Sequence, residues 1–347
     1  MVLDSLQQVS GRGRSCRCVL VFLLFQALTL TAEAGTFQLP TTNDALLKEG
    51  AEDDFFTPTP GKTWSSGSFG CVRSQGYQLH EGIDIKAQER DRRGEPIDPV
   101  FSAAAGRVVY VNSKSGNSSY GNYVVVAHKI DRVEVFTLYA HLRAVKQGLR
   151  AGTELKGGDA IGVMGRTATY AIPRDRAHLH FEVGLLVNDR FDLWFQEAYK
   201  GSRNTHGKWN GMNLLGLDPV ELLRQSHRDP SFNLLEHIRE QEVFCKVLVR
   251  AHGFSWLQRY PMLVKRNERA SREGAAAFEM WLTFNGIPIT LIPRAPSEVP
   301  VKGDKVELLE VNEEAYKKGQ CCKLVSKTSK GWVLGSKGKR LIDLLVY

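Results

Sequence analysis

No run of about 20 apolar residues, the length a membrane-spanning helix needs, occurs in the 347-residue chain. The nearest approach is a mostly apolar stretch of 12 residues, Val19 to Leu30. Cysteine is scarce, with six residues, and Cys16 and Cys18 precede that stretch rather than follow it. That order argues against a bacterial lipoprotein anchor. No internal repeat is visible, which sets aside repeat architectures. What remains is an ordinary globular composition, 42% hydrophobic, long enough for two domains and a sizeable core.

The N-terminus is informative. Arg12, Arg14 and Arg17 precede the apolar run, and Ala32-Glu33-Ala34 places small residues where a peptidase would cleave. This is the layout of a secretory signal peptide over residues 1–34, with an uncleaved anchor as the alternative. The expected location is therefore exported, in a periplasm or at a cell surface, with no stable membrane span after cleavage. Those residues carry three Arg against Asp4 and Glu33, so the remainder keeps +7 of the formal +8. A basic exported protein suits anionic partners such as wall polymers; no nucleic-acid partner is expected. Cys71, Cys245, Cys321 and Cys322 remain, and export permits disulfides. The expected pair is Cys245 with Cys321 or Cys322.

Along the chain, residues 35–68 are polar and turn-rich and read as an exposed lead-in. From 69 to 223 short β-prone runs alternate with glycine turns. Examples are Gly106–Val111, Tyr123–His128 and Val133–Tyr139. Such a pattern predicts a mainly β domain, an antiparallel sheet or sandwich. Residues 188–213 read as a loop-rich excursion. A helical patch is expected over 219–242, its part from 224 serving as a connector. Residues 243–347 are expected to form a second, smaller β module. Its hairpins lie at Asn285-Gly286 and around Gly331 to Gly338.

Chemistry concentrates in three places. His178 and His180, one residue apart in a β-prone stretch, share one face of a strand. His80-Glu81-Gly82-Ile83-Asp84 and Tyr139-Ala140-His141-Leu142 lie upstream. A catalytic zinc takes three ligands from His, Asp and Glu and leaves one position open. His80, Asp84 and His180 supply two nitrogens and an oxygen, a set that suits zinc. Gly82 would allow the sharp path between His80 on a loop and Asp84 at the start of a strand. His141 and His178 are then left for proton transfer or for stabilising the departing side. Glu182 shares the face of His180, either orienting it or making a structural salt link. Tyr120-Gly121-Asn122 reads as a turn into a strand. His128, His206, His227, His237 and His252 fit no ligand pattern.

In order, the chain contains Phe69-Gly70, Arg73, His80-x-Gly82-x-Asp84, Tyr120-Gly121-Asn122, Tyr139-x-His141-Leu142, Gly162-x-x-Gly165 and His178-Leu179-His180-Phe181-Glu182. Over about 69–223 this string resembles the lysostaphin-like (LytM-type) zinc endopeptidases of bacterial cell walls. The resemblance implies one zinc on His80, Asp84 and His180, catalytic roles for His141 and His178, and peptidoglycan as substrate. The chain departs from that family between Gly165 and Ala177. There a charged loop through Arg174, Asp175 and Arg176 is expected to border the groove and bear on peptide preference. Tyr77 is a candidate for the family's groove tyrosine, with plain packing as the alternative. By analogy with other wall hydrolases, the Lys-rich tail (Lys323, Lys327, Lys330, Lys337, Lys339 and Arg340) is a candidate wall-polymer surface. The expectation is an exported peptidoglycan endopeptidase. Its rivals are a non-catalytic regulator of wall hydrolases and a zinc peptidase acting on a protein.

Overall fold

All nine residues of His178–Leu186 are buried, and neighbouring strands bond to both edges of this segment. A computed structural model describes residues 37–319 and 321–347. The expected signal peptide lies outside the described residues. The first strands are β1 (Gly70–Arg73), β2 (Gln78–His80), β3 (Ile83–Lys86), β4 (Pro99–Phe101), β5 (Gly106–Asn112) and β6 (Tyr123–Ile130). Next come β7 (Val133–Ala140), β8 (Ala144–Val145), β9 (Glu154–Leu155), β10 (Ala160–Val163), β11 (His178–Leu186) and β12 (Leu214–Leu217). A seven-stranded sheet runs β12-β11-β7-β6-β5-β9, with β3 beside the first half of β11. All pairings in this sheet are antiparallel. The mainly β fold read from the sequence is the fold observed.

Period-two alternation decides which side chains meet. From β11, Leu179, Phe181, Val183 and Leu185 enter the main core, joined by Ile83 and Ile85 of β3. The opposite face of the sheet packs Val125, Phe136, Leu138 and Ala140 under Trp209 and Tyr120. His178, His180 and Glu182 alternate with the core residues and so share this second face.

Residues 37–68 are not an exposed lead-in. Phe37, Leu46, Phe55 and Phe56 are buried in the main core, and Phe56 pairs with Ile85 of β3. Each buried phenylalanine contributes about 1.5–3 kcal/mol, enough to hold a segment whose average composition is polar. The excursion at 188–213 contains helix α1 (Phe191–Ala198), anchored by Phe191, Trp194 and Phe195. The expected helical patch is two helices, α2 (Pro219–Arg228) and α3 (Leu234–Arg239), capped by Asp218 and Asn233.

The C-terminal segment mixes helix and strand instead of being purely β. Strands β13 (Cys245–Val249), β14 (Ala277–Leu282), β15 (Pro288–Arg294) and β16 (Val306–Val311) form a sheet ordered β15-β14-β13-β16. The Asn285-Gly286 hairpin joins β14 and β15 as expected. A second hairpin pairs β17 (Val325–Thr328) with β18 (Gly331–Leu334). Gly335, expected within it, instead caps a helix at Ser336–Leu345. This segment is tied to the first sheet. Leu186 N–H donates to Tyr260 Oη at 2.9 Å, Asn188 Nδ2 to Leu344 O at 2.6 Å, and Asn285 Nδ2 to Gly216 O at 2.7 Å.

The disulfide joins Cys71 to Cys321, not Cys245 to either neighbour of the tail. Cys245 is a free thiol buried in β13; closeness in sequence was a poor guide because the C-terminal segment folds back onto β1. Several tail cations are engaged internally. Lys327 pairs with Glu313, Lys337 donates to Cys321 O, and Arg340 donates to Tyr199 Oη.

Candidate metal centre

β3 and β11 align Asp84 directly opposite His180, and β2 ends at His80 two residues before β3 begins. The three side chains converge at near-equal distances. His80 Nε2 lies 3.1 Å from Asp84 Oδ1 and 3.2 Å from His180 Nδ1, and His180 Nδ1 lies 3.0 Å from Asp84 Oδ1. All three residues are buried. Gly82 serves this approach differently from the expected sharp path: a Cβ there would lie 2.3 Å from Phe181 O, so only glycine lets the turn sit against β11.

The tautomers follow from the outer partners. His80 Nδ1 donates to Ser68 O at 2.7 Å, leaving the Nε2 lone pair facing inward. His180 Nε2 donates to Glu182 Oε1 at 2.8 Å, leaving Nδ1 inward. Glu182 Oε1 also accepts the Tyr120 hydroxyl at 2.7 Å. Arg73 Nη2 donates to Asp84 Oδ2, and also to His80 Nε2 at 3.1 Å. Two imidazole lone pairs and a carboxylate oxygen thus face one another; the Arg73 guanidinium meets His80 and Asp84 from one side, and a cation among all three donors would relieve the repulsion that remains. Tetrahedral bonds of about 2.0–2.1 Å to zinc place donor atoms about 3.3 Å apart, close to the observed triangle. The donor set fits zinc. Burial disfavours the charged ring of His180, but the bonds to Asp84 and Glu182 raise it to about 10. Burial would likewise raise the Asp84 carboxyl, and the surrounding imidazoles hold it well below the usual range.

His141 and His178 flank this triangle, their ring centroids 4.9 Å apart. His178 Nδ1 donates to Arg176 O at 2.7 Å, and its Nε2 lies 3.5 Å from Asp84 Oδ1. His141 Nδ1 donates to Thr167 O at 2.9 Å. Both rings therefore present an unprotonated Nε2. Burial, with the neighbouring His178 next in weight, pushes His141 down to about 3; burial also lowers His178. His141 adopts φ +60 just beyond β7, a strained backbone of the kind concentrated at functional sites. All five residues picked from the sequence line one groove of about 900 Å³.

Several participants were missed. Tyr120, read only as part of a turn, reaches Glu182; its buried hydroxyl is held well above its ordinary titration range by desolvation and by that carboxylate. Arg73 was noted only as part of a motif. Tyr77 stands 64% exposed and does not line the groove, whereas Tyr170 does. No local pattern marks Tyr170, because a loop brings it there.

Residues 78–190 match the family description Peptidase family M23. Over 93 residues, 27% of this chain, the sequence is 33% identical to lipoprotein NlpD of Yersinia enterocolitica and covers 84% of that protein. The chain belongs to peptidase family M23. A second match, to the uncharacterized lipoprotein YgeR of Escherichia coli strain K12, is 34% identical over 104 residues. It takes in 30% of this chain and about a third (34%) of the E. coli protein's length. Among solved structures, a zinc-containing peptidase from Vibrio cholerae aligns at 25% identity and TM-score 0.26, over 38% of this chain and 37% of that one. The catalytic domain of lysostaphin from Staphylococcus simulans aligns at 18% and 0.27, over 49% of this chain and 89% of that one. The M23 match spans His80, Asp84, His141, His178 and His180 and ends well before the C-terminal sheet.

Proposed function

We propose that the protein is an exported zinc endopeptidase that hydrolyses peptide bonds in peptidoglycan. The observation that carries this reading is the complete set at one place. Three inward-facing donor atoms lie within 3.2 Å of one another, with two neutral histidines beside them and a groove leading in. His80, Asp84 and His180 would hold the zinc. When bound there, zinc supplies Lewis-acid polarisation of the scissile carbonyl and of the attacking water.

The remaining work falls to the chain itself. His178 Nε2, lying toward Asp84, is placed to take a proton from the attacking water and return it to the departing amine. His141 Nε2, also unprotonated, would accept a hydrogen bond from the attacking water and help to orient it. Glu182 fixes the ring of His180, and Arg73 holds Asp84 Oδ2 so that Oδ1 faces inward. The export expectation rests on residues 1–34; among the described residues no helix is long and apolar enough to cross a membrane.

The test is digestion of purified peptidoglycan by zinc-loaded protein, with and without a chelator, the products read by mass spectrometry. Chelator-sensitive release of peptide-cleaved fragments is the expected result. No cleavage by folded, zinc-loaded protein overturns the enzyme reading in favour of a regulator of other wall hydrolases.

A further inference from the structure

The loop that departs from the family pattern carries three guanidinium groups, and they are not equivalent. Arg166 donates twice to Glu95, at 2.9 Å each, and Arg174 donates to the same carboxylate at 3.1 Å. Both charges are spent on the scaffold. Arg176 is different. It is half-buried, lines the groove, and among the described residues makes no ion pair; its Nε donates only to Pro58 O, at 3.1 Å. Arg203, on the excursion between β11 and β12, also lines the groove and likewise has no ionic partner there.

Position makes Arg176 pertinent to the chemistry. Its own carbonyl accepts the Nδ1–H of His178, so its backbone is fixed two residues from a proposed proton carrier. At about 3.8 Å between consecutive Cα atoms, its Cα lies about 7 Å or less from that of His178, so a side chain turned into the groove can reach a substrate residue near a bond cut beside His178. Asp84, Arg73 and Arg176 all act on Tyr170, whereas the charges acting on Glu81, the other groove carboxylate besides Asp84, are those of Glu182, His180 and His80. Asp84 is already committed to Arg73 and the histidines. Arg176 therefore presents to the groove a positive charge that no ion pair among the described residues engages, which a bound carboxylate would satisfy by a charge-assisted bond.

We infer that Arg176 is a specificity determinant that binds a free carboxylate on the substrate, one or two residues from the scissile bond. The substrate is then an acidic peptide, such as a wall stem with unamidated carboxyl groups, rather than an uncharged glycine bridge or an amidated stem. This rests on the peptidase reading above, and it concerns a loop in which the chain differs from its family.

The test uses two stem-peptide substrates that differ only in a carboxylate or a carboxamide next to the cleaved bond. Both kcat/KM and binding by calorimetry are measured for the zinc-loaded full chain. The carboxylate form should be preferred about tenfold or more, mainly through KM. In Arg176→Gln the two substrates should be handled within about twofold of each other, and Arg176→Lys should recover part of the preference. Arg174→Gln, whose charge is spent on Glu95, should leave the ratio as it is. A preference that survives in Arg176→Gln, or cleavage with no preference in the wild-type protein, overturns the inference. Binding without cleavage, still selective and dependent on Arg176, supports the inference and overturns the peptidase reading instead. Binding that does not discriminate the two peptides overturns the inference whether or not cleavage occurs.

Discussion

Glu182 accepts the Nε2–H of His180 at 2.8 Å, on the side of the ring opposite the nitrogen that faces Asp84. Such an outer carboxylate fixes the tautomer and strengthens the inward lone pair, and loss of one typically costs 10–100-fold in metal affinity. Glu182→Gln should therefore bind zinc about 10–100-fold more weakly than wild type, measured by competition with a chromophoric chelator. Tyr120→Phe, which removes only a donor to Glu182, should show a smaller loss. Unchanged affinity in Glu182→Gln would remove its orienting role.

His178 and His180 sit on one strand face yet are assigned different tasks. His178→Ala should retain zinc by elemental analysis while turnover on peptidoglycan falls by about a hundredfold or more. His180→Ala should lose both zinc and turnover. Full activity in His178→Ala would sink its assignment to proton transfer.

The site was legible because its signals are local. Two histidines at i and i+2 must share a strand face, and β11 puts them there; the spacing of His80 and Asp84 likewise places both at the β2–β3 turn. The β-prone runs at 106–111, 123–128 and 133–139 became β5, β6 and β7. What stayed hidden is non-local. Tyr120 reaches Glu182 across 62 residues, and Cys71 meets Cys321 across 250. No pattern within a window of sequence encodes such meetings. The anchors Phe55 and Phe56 were masked by the polar residues around them, so a segment built into the core read as a loose one.

Acid should weaken the fold through His128. This buried imidazole donates Nδ1–H to Ala105 O at 2.9 Å and lies 2.7 Å from Thr137 Oγ1, and burial lowers it from 6.5 to about 4. Between those two values the unfolded chain binds a proton there and the folded chain does not. Stability contributed by this group is therefore present above about pH 6.5 and declines as the pH falls toward 4. The slope it adds is up to about 1.4 kcal/mol per pH unit. Denaturant midpoints measured across that range should vary less steeply with pH in His128→Gln than in wild type.

The thiol inventory is directly countable. Among the cysteines after residue 34, two are bonded to each other and two, Cys245 and Cys322, are free. Denatured, unreduced protein lacking residues 1–34 should take up label at two sites, and at four after reduction. Peptide mapping should recover the Cys71–Cys321 link. A Cys71→Ser/Cys321→Ser variant should lose about 2–5 kcal/mol of unfolding free energy, read from denaturant melts.

Two backbone groups before β1 bear directly on the proposed ligands. Thr57 N–H donates to Asp84 O at 2.8 Å, and Ser68 O holds the tautomer of His80. A secreted hydrolase is often kept silent by a pro-segment that proteolysis later removes. Here a cut that released the chain through Ser68 would take away part of the bed on which Asp84 and His80 rest. Trimming that far would therefore disturb the proposed zinc ligands, and weaker metal binding, not activation, is its expected outcome.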